Sequence, residues 1–228
     1  MNLDEIRHVF ALSPNYDKII KGGGGVMQNL IFQAFIVIII SYLIGSIPTG
    51  YLIVKSKTGQ DIRTIGSGST GATNVKRVLG KKWFFTVMIL DAIKGAVPVL
   101  LAKVFATVGV GIGLLPVLAA VAVIIGHSKP CFLNFKGGKS VASGVGTILA
   151  LNFYAGIIIA GVWGAVTYFT KYVSVGSIIA LAISPFLMYS MKSPAAYVIY
   201  CGIGALYIIY LHRENIKRLI AGNENKVR

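Results

Sequence analysis

Three polar stretches hold nearly all the side chains able to do chemistry. The first runs Gly66-Ser67-Gly68-Ser69-Thr70-Gly71-Ala72-Thr73-Asn74 and is followed by Lys76 and Arg77. Gly66, Gly68 and Gly71 let a backbone turn so that several N–H groups aim at one ligand. Ser67, Ser69 and Thr73 add hydroxyls, Asn74 adds an amide, and Arg77 offers a planar fork that fits phosphate oxygens. The second stretch starts at Gly126-His127 and ends Lys136-Gly137-Gly138-Lys139. Its end looks like half of a nucleotide phosphate loop, without the full GxxxxGK[ST] spacing. Lys139 stands where a helix opens, and helix N-termini favour anions. In the third stretch, His212-Arg213-Glu214-Asn215, His212 and Asn215 are three apart and share a helix face. Either can bind a phosphate or a hydroxyl. Glu214, the one acid in the three stretches, is expected to hold Arg213, Arg218 or another basic side chain in place.

Several chemistries are excluded by what is missing. No HExxH, CxxC or carboxylate cluster marks a metal site. His127 has Cys131 four residues on, so the HxxxxD pair used by many glycerolipid acyltransferases is absent. No cofactor motif is present, and the expectation is a reaction without cofactor or metal. Asp91 and Lys94 lie three apart inside an apolar segment. Charges there are expensive and are usually paired or functional. They read as a structural ion pair, with a Lys94 that faces a ligand cavity as the functional alternative.

These stretches sit in a chain of 228 residues, 55% apolar and only 13% charged, with a mean hydropathy of +0.76. A soluble domain carries roughly 25% charged residues, so a soluble or a disordered chain is excluded. The apolar segments are 30–54, 83–102, 104–126, 140–151, 154–170, 172–190 and 195–211. Asn152 breaks an uncharged run too long for one span, because a span needs ~20 residues. Seven spans put 16 Lys and Arg on one side and 5 on the other, with Lys94 inside a span. The basic side is cytoplasmic. The fold class expected is therefore all-α, a polytopic membrane protein with seven transmembrane helices, N-terminus out and C-terminus in. All three polar stretches fall on the cytoplasmic side. The net charge of +15 points to anionic ligands or lipid headgroups, not to nucleic acid. Residues 1–28, with the run Gly22–Gly25, read as a leader or an appended extension outside the fold. Residues 29–222 read as the membrane domain and 223–228 as a polar tail.

The stretches, in this order and on this topology, resemble the bacterial acyl-phosphate:glycerol-3-phosphate acyltransferase family. The likeness covers about residues 30–220. It includes Gly45-Ser-Ile-Pro-Thr-Gly50, Asp61-Ile-Arg63, the glycine–hydroxyl loop through Leu79-Gly80, and Leu90-Asp-Ala-Ile-Lys-Gly95. It continues through Gly126-His-Ser-Lys-Pro130, Phe135–Lys139, Tyr172-Val-Ser174 with Ser177, and His212–Leu219. Ser69 and Ser140 depart from the family, which has Asn and a Gly or similar small residue there. The resemblance implies an enzyme of the bacterial cytoplasmic (inner) membrane. It would move a fatty acyl group from acyl phosphate to the 1-hydroxyl of glycerol 3-phosphate, giving lysophosphatidic acid and phosphate. It implies an active-site set of Ser67, Thr73, Asn74, Arg77, Lys139, His212 and Asn215, with Ser177 added. Gly66, Gly68, Ser69, Gly71, Lys136, Gly137 and Gly138 would complete the substrate loops, and Asp91, Lys94, His127 and Glu214 would support them. A mixed anhydride has a good leaving group, so positioning and charge stabilisation suffice for catalysis. The competing readings are a membrane transporter for an organic phosphate and a non-catalytic lipid-binding protein.

Overall fold

The computed structural model describes residues 24–108 and 113–227; most of the 1–28 extension lies outside the described residues. Among the described residues the chain is helical, with no strand. Ten α-helices run in order: α1 Gly24–Ser46, α2 Thr49–Thr58, α3 Ala72–Leu79, α4 Lys81–Val108 and α5 Leu114–Ser128. They continue with α6 Val141–Leu151, α7 Phe153–Thr170, α8 Val173–Ser190, α9 Ala195–Leu211 and α10 Arg213–Ile220. Single 3₁₀ turns occupy Ile62–Thr64 and Cys131–Leu133. The first helix starts at Gly24, inside the segment expected to stay outside the fold.

Among the described residues five helical stretches are long and apolar enough to cross a membrane. The pair α9 and α10, bent by 59°, passes as a sixth, and α6 is a shorter apolar helix. The chain is a multi-pass membrane protein. Its outer faces fit that solvent, since Phe32, Phe35, Val104, Phe105 and Ile203 are each more than 60% exposed. Water would not tolerate so wide an apolar surface.

Hydrogen bonding at the helix breaks follows from the sequence. Asn152 ends α6 in extended conformation, and its Oδ1 accepts from Ala155 N at 3.1 Å, the N-cap of α7. Such a cap satisfies an orphan N–H at a helix start. Lys103 is expected in a loop between two spans. It lies instead inside α4, which runs on to Val108, and its Nζ donates to the carbonyls of Ala150 and Leu151 at 2.6 and 2.8 Å. Those are orphan carbonyls at the end of α6, where a cation is favoured. Lys94 Nζ stands 2.8 Å from Asp91 Oδ1 and donates to Ile47 O, also at 2.8 Å, at the break between α1 and α2. It is thus paired with Asp91 and does not line the cavity described below.

Helix α1 lies along α5, α4 along α5 and α6, and α8 between α7 and α9. Small residues allow the α4–α6 approach: Gly95 lies against the Ser143 backbone and Gly146 against that of Ala92. Helices in lipid associate through such close packing. α6 is thereby held as a floor between α4 and α7.

Candidate functional site

The three polar stretches converge on one cavity of about 430 Å³. Ser67, Ser69, Gly71, Thr73, Asn74 and Arg77 come from the first, Lys139 from the second, and His212 and Asn215 from the third. Its other arm is apolar, lined by Phe84, Met88 and Ile89 of α4, Val145 and Leu149 of α6, and Ala160 and Trp163 of α7.

The first loop is wound around a buried amide. Asn74 Nδ2 donates to Ile62 O, Ile65 O and Ser69 O at 3.2, 2.9 and 3.0 Å, while its Oδ1 accepts from Ser67 N at 3.1 Å. Both amide hydrogens and one lone pair of Oδ1 are thereby committed to the loop. Asn74 thus shapes the loop that presents Ser67 and Ser69, and it also lines the cavity. Gly66 turns at φ +60°, and a Cβ there would strike Asn74 Oδ1. Gly66 and Gly68 shape the turn without lining the cavity. Arg63 pairs with Asp61 at 2.6 Å and donates to Leu133 O at 3.3 Å, which ties the first loop to the second. The ion pair holds the Asp61 carboxyl below its ordinary range.

The second loop leans on His127. Gly138 N donates to His127 O and Gly137 N to Ser128 O, at 3.1 and 3.2 Å. A Cβ on Gly138 would run into the His127 imidazole. That ring is held by Ser143 Oγ at 3.1 Å and lies 3.8 Å from Asp91 Oδ1. Ser140 then takes φ +59°, a left-handed conformation that favours glycine. This explains why a small residue stands there; the serine anchors itself by donating to Ile124 O at 2.9 Å. Lys139 is thereby aimed into the cavity and donates to Asn215 Oδ1. Burial lowers the Lys139 pKa to about 8, Arg218 and Arg77 add to that, and Glu224 opposes it. Lys136 is exposed and does not line the cavity, nor do Gly137 and Gly138, so the expectation that they touch substrate is corrected. The loop turns Lys136 outward so that Lys139 points in.

At the end of α9, His212 is 3% exposed and its Nδ1 lies 2.8 Å from Ile208 O. A carbonyl only accepts, so Nδ1 carries the proton and Nε2 is left as an acceptor. Burial lowers the His212 pKa to about 4, with Lys139 adding to the effect. The ring is neutral at physiological pH. Ser177 lines the wall, but its Oγ already donates to Val173 O at 2.7 Å and accepts from Trp163 Nε1 at 3.3 Å. Trp163 in turn stacks on Phe84 with centroids 6.5 Å apart. Ser177 therefore positions the aromatic wall.

Glu214 pairs with basic side chains as expected of it, but away from the cavity. It lies on the exposed side of α10 beside Lys217 and Arg213, at 3.3 and 3.9 Å. Arg218 is held instead by Glu224, at 2.7 Å from Arg218 Nε. The segment read as a polar tail folds back: Glu224 and Asn225 line the cavity. The carboxylate accepts from Ser174 Oγ at 2.9 Å and from Asn215 Nδ2 at 2.6 Å. Burial would raise the Glu224 carboxyl, but the hydrogen bonds from Asn215, Arg218 and Ser174 hold it below its ordinary range. The sequence carried one signal for it, an acid six residues beyond Arg218. Among the described residues no group of three or more His, Cys, Asp or Glu is placed to hold a metal.

The geometry has close relatives. The family model described as glycerol-3-phosphate acyltransferase matches residues 35–222. A protein of that name from Nostoc sp. is 41% identical over 204 residues, covering 84% of this chain and 90% of its own. One from Clostridioides difficile is 40% identical over 198 residues, covering 86% and 97%. Among solved structures, PlsY, an integral membrane glycerol 3-phosphate acyltransferase in its glycerol 3-phosphate form, superposes with a TM-score of 0.80 at 36% identity. That match covers 86% of this chain and 96% of the other. Its lysophosphatidic acid form gives 0.77 at 34% identity, covering 86% and 95%. With the family model spanning most of its length and these relatives matched nearly end to end, this chain belongs to the glycerol-3-phosphate acyltransferase family.

Proposed function

We propose that this protein transfers a fatty acyl group from acyl phosphate to the 1-hydroxyl of glycerol 3-phosphate, releasing lysophosphatidic acid and phosphate. One observation carries the reading: a single cavity joins a cationic, hydroxyl-rich head to an apolar arm between α4, α6 and α7. That is the shape of a phosphorylated headgroup on an acyl chain. Arg77 and Lys139 grip phosphate. His212 and Asn215 position glycerol 3-phosphate, and Ser67 and Thr73 hold the donor phosphate. The acceptor oxygen attacks the acyl carbon, the carbon–oxygen bond to phosphate breaks, and the departing phosphate takes the hydroxyl proton. The neutral His212 supports this assignment, because a ring whose pKa lies near 4 accepts a hydrogen bond from the hydroxyl without being a strong base.

The test is the purified protein with acyl phosphate and glycerol 3-phosphate, reading lysophosphatidate and phosphate. Stoichiometric release of both is expected. Equal or faster turnover with an acyl thioester would refute the donor, and organic-phosphate flux into vesicles without acyl transfer would favour the transporter.

Seven spans in a bacterial cytoplasmic membrane, N-terminus out and the cavity toward the cytoplasm, are part of the same proposal. The asymmetry of Lys and Arg supports it. Lys57, Lys136, Glu214 and Lys192 are all exposed. Single cysteines at 57, 136 and 214, in a Cys131→Ser background, should label from one face and a cysteine at 192 from the other. Labelling of 214 and 57 from opposite faces would sink the seven-span topology.

A further inference from the structure

We infer that Glu224 is a positioning residue of the acyl-transfer site, which orients Asn215 and draws off Arg218 so that Asn215 Oδ1 and Lys139 Nζ face the substrate together. The inference rests on the functional reading above.

The C-terminal segment is built to hold this carboxylate. Gly222 turns the chain at φ +70°, and Asn223 N donates back to Arg218 O at 2.8 Å. Beyond Glu224, Val227 N donates to Lys171 O at 2.7 Å, and Lys226 Nζ lies 5.6 Å from the centre of the Tyr172 ring. Glu224 is thus pinned on both sides, and its side chain is only 6% exposed. Burying a carboxylate is costly unless it is paired and hydrogen-bonded. Here it receives Ser174, Asn215 and Arg218.

Those bonds decide what the rest of the site can do. A free asparagine amide can point either end at a ligand. A carboxylate only accepts, so it takes Nδ2, and Oδ1 is left facing the ammonium of Lys139, which only donates. Arg77, Lys139 and Arg218 all line the cavity. With Arg218 tied to Glu224, two cations remain for phosphate. Without the carboxylate, the Asn215 amide rotates freely and Arg218 turns its full charge on Lys139.

The groups that face Lys139 are Arg77 from α3, His212 at the α9–α10 corner, Arg218 from α10 and Glu224 from the C-terminal segment. Glu224 is the only anion among these four. In Glu224→Gln the ammonium is less favoured, so the alkaline limb of kcat/KM moves to lower pH. A purely structural role would not move that limb.

The experiment measures acyl transfer from acyl phosphate to glycerol 3-phosphate against pH, for wild type, Glu224→Gln, Glu224→Asp and Val227→Pro. Val227→Pro removes the anchor to Lys171 while keeping the carboxylate in the chain. Glu224→Gln is expected to lose about tenfold to a hundredfold in kcat/KM, the scale of a lost charged hydrogen bond, with the limb shifted acidward. Glu224→Asp should restore the limb, and Val227→Pro should show a smaller shift of the same sign. If Glu224→Gln does not yield a monodisperse protein in detergent, Val227→Pro decides: an unmoved limb overturns the proposal. An active wild type whose Glu224→Gln variant stays within about twofold, the scatter of an innocuous substitution, with its limb unmoved, overturns this proposal alone. A wild type that transfers no acyl group overturns the functional reading and this proposal with it.

Discussion

Lys139→Ala is expected to lower kcat/KM for glycerol 3-phosphate by about two to three orders of magnitude. Truncating one partner of a buried, hydrogen-bonded charge pair costs roughly 2–5 kcal/mol, and about 1.4 kcal/mol is a factor of ten. Lys139 reaches Asn215 and, among the described residues, has no carboxylate in direct contact, so its charge is available to the substrate phosphate. Its pKa near 8 fixes the sign of the pH dependence. Below that value the side chain is cationic and grips the phosphate; as pH rises through it, the grip is lost and kcat/KM falls. A phosphate monoester gains its second proton near pH ~6, which gives the acidic limb. His212, neutral down to about pH 4, contributes no limb between 6 and 7. Lys139→Arg keeps its charge at every accessible pH and should abolish the alkaline limb even where it lowers the rate. A wild-type profile that climbs through pH 8, or a Lys139→Ala enzyme within threefold or so of wild type, about 0.7 kcal/mol on the same scale, would remove Lys139 from the site.

Gly138→Ala should be nearly as damaging although it adds one methyl group outside the cavity. The new Cβ would land on the His127 ring. The ring cannot step aside, because Ser143 holds it and Asp91 lies behind it. Overpacking of this kind costs about 1–3 kcal/mol. The loop is the softer party, so it moves and carries Lys139 with it. Misplacing a positioning group by ~1 Å can cost about a hundredfold. We expect a loss of tenfold to a hundredfold on that scale, chiefly in KM for glycerol 3-phosphate. The control is Gly161→Ala on α7, where a Cβ meets nothing within 4 Å. Alanine there should keep activity and raise thermal stability slightly, since glycine in a helix costs roughly 1 kcal/mol. Wild-type activity in Gly138→Ala would mean that this loop does not set the position of Lys139.

The sequence by itself determined whatever depends on local composition and spacing. Apolar runs specify helices because backbone groups in lipid must bond within their own segment. Asn152 specifies the break between α6 and α7 because its side chain caps the next helix wherever the chain goes. The clustering of glycines, hydroxyls and cations in three stretches marked an anion site, since those residue types have few other uses together. Direction within each stretch was decided only by the tertiary structure. Lys136 and Lys139 are three residues apart in one motif, yet the turn through Gly137 and Gly138, set by His127 on α5, sends one to solvent and the other to the cavity. Asn74 has the chemistry of a ligand group, but closure of the 62–69 loop takes both its amide hydrogens and one lone pair of its oxygen. Glu214 lies inside a recognisable motif and Glu224 outside it. The return of the chain past Lys171 brings Glu224, and not Glu214, to Arg218 and Asn215. A polar side chain satisfies whichever partner the fold brings within about 3 Å, and that partner lies at a distance along the chain that no local pattern encodes.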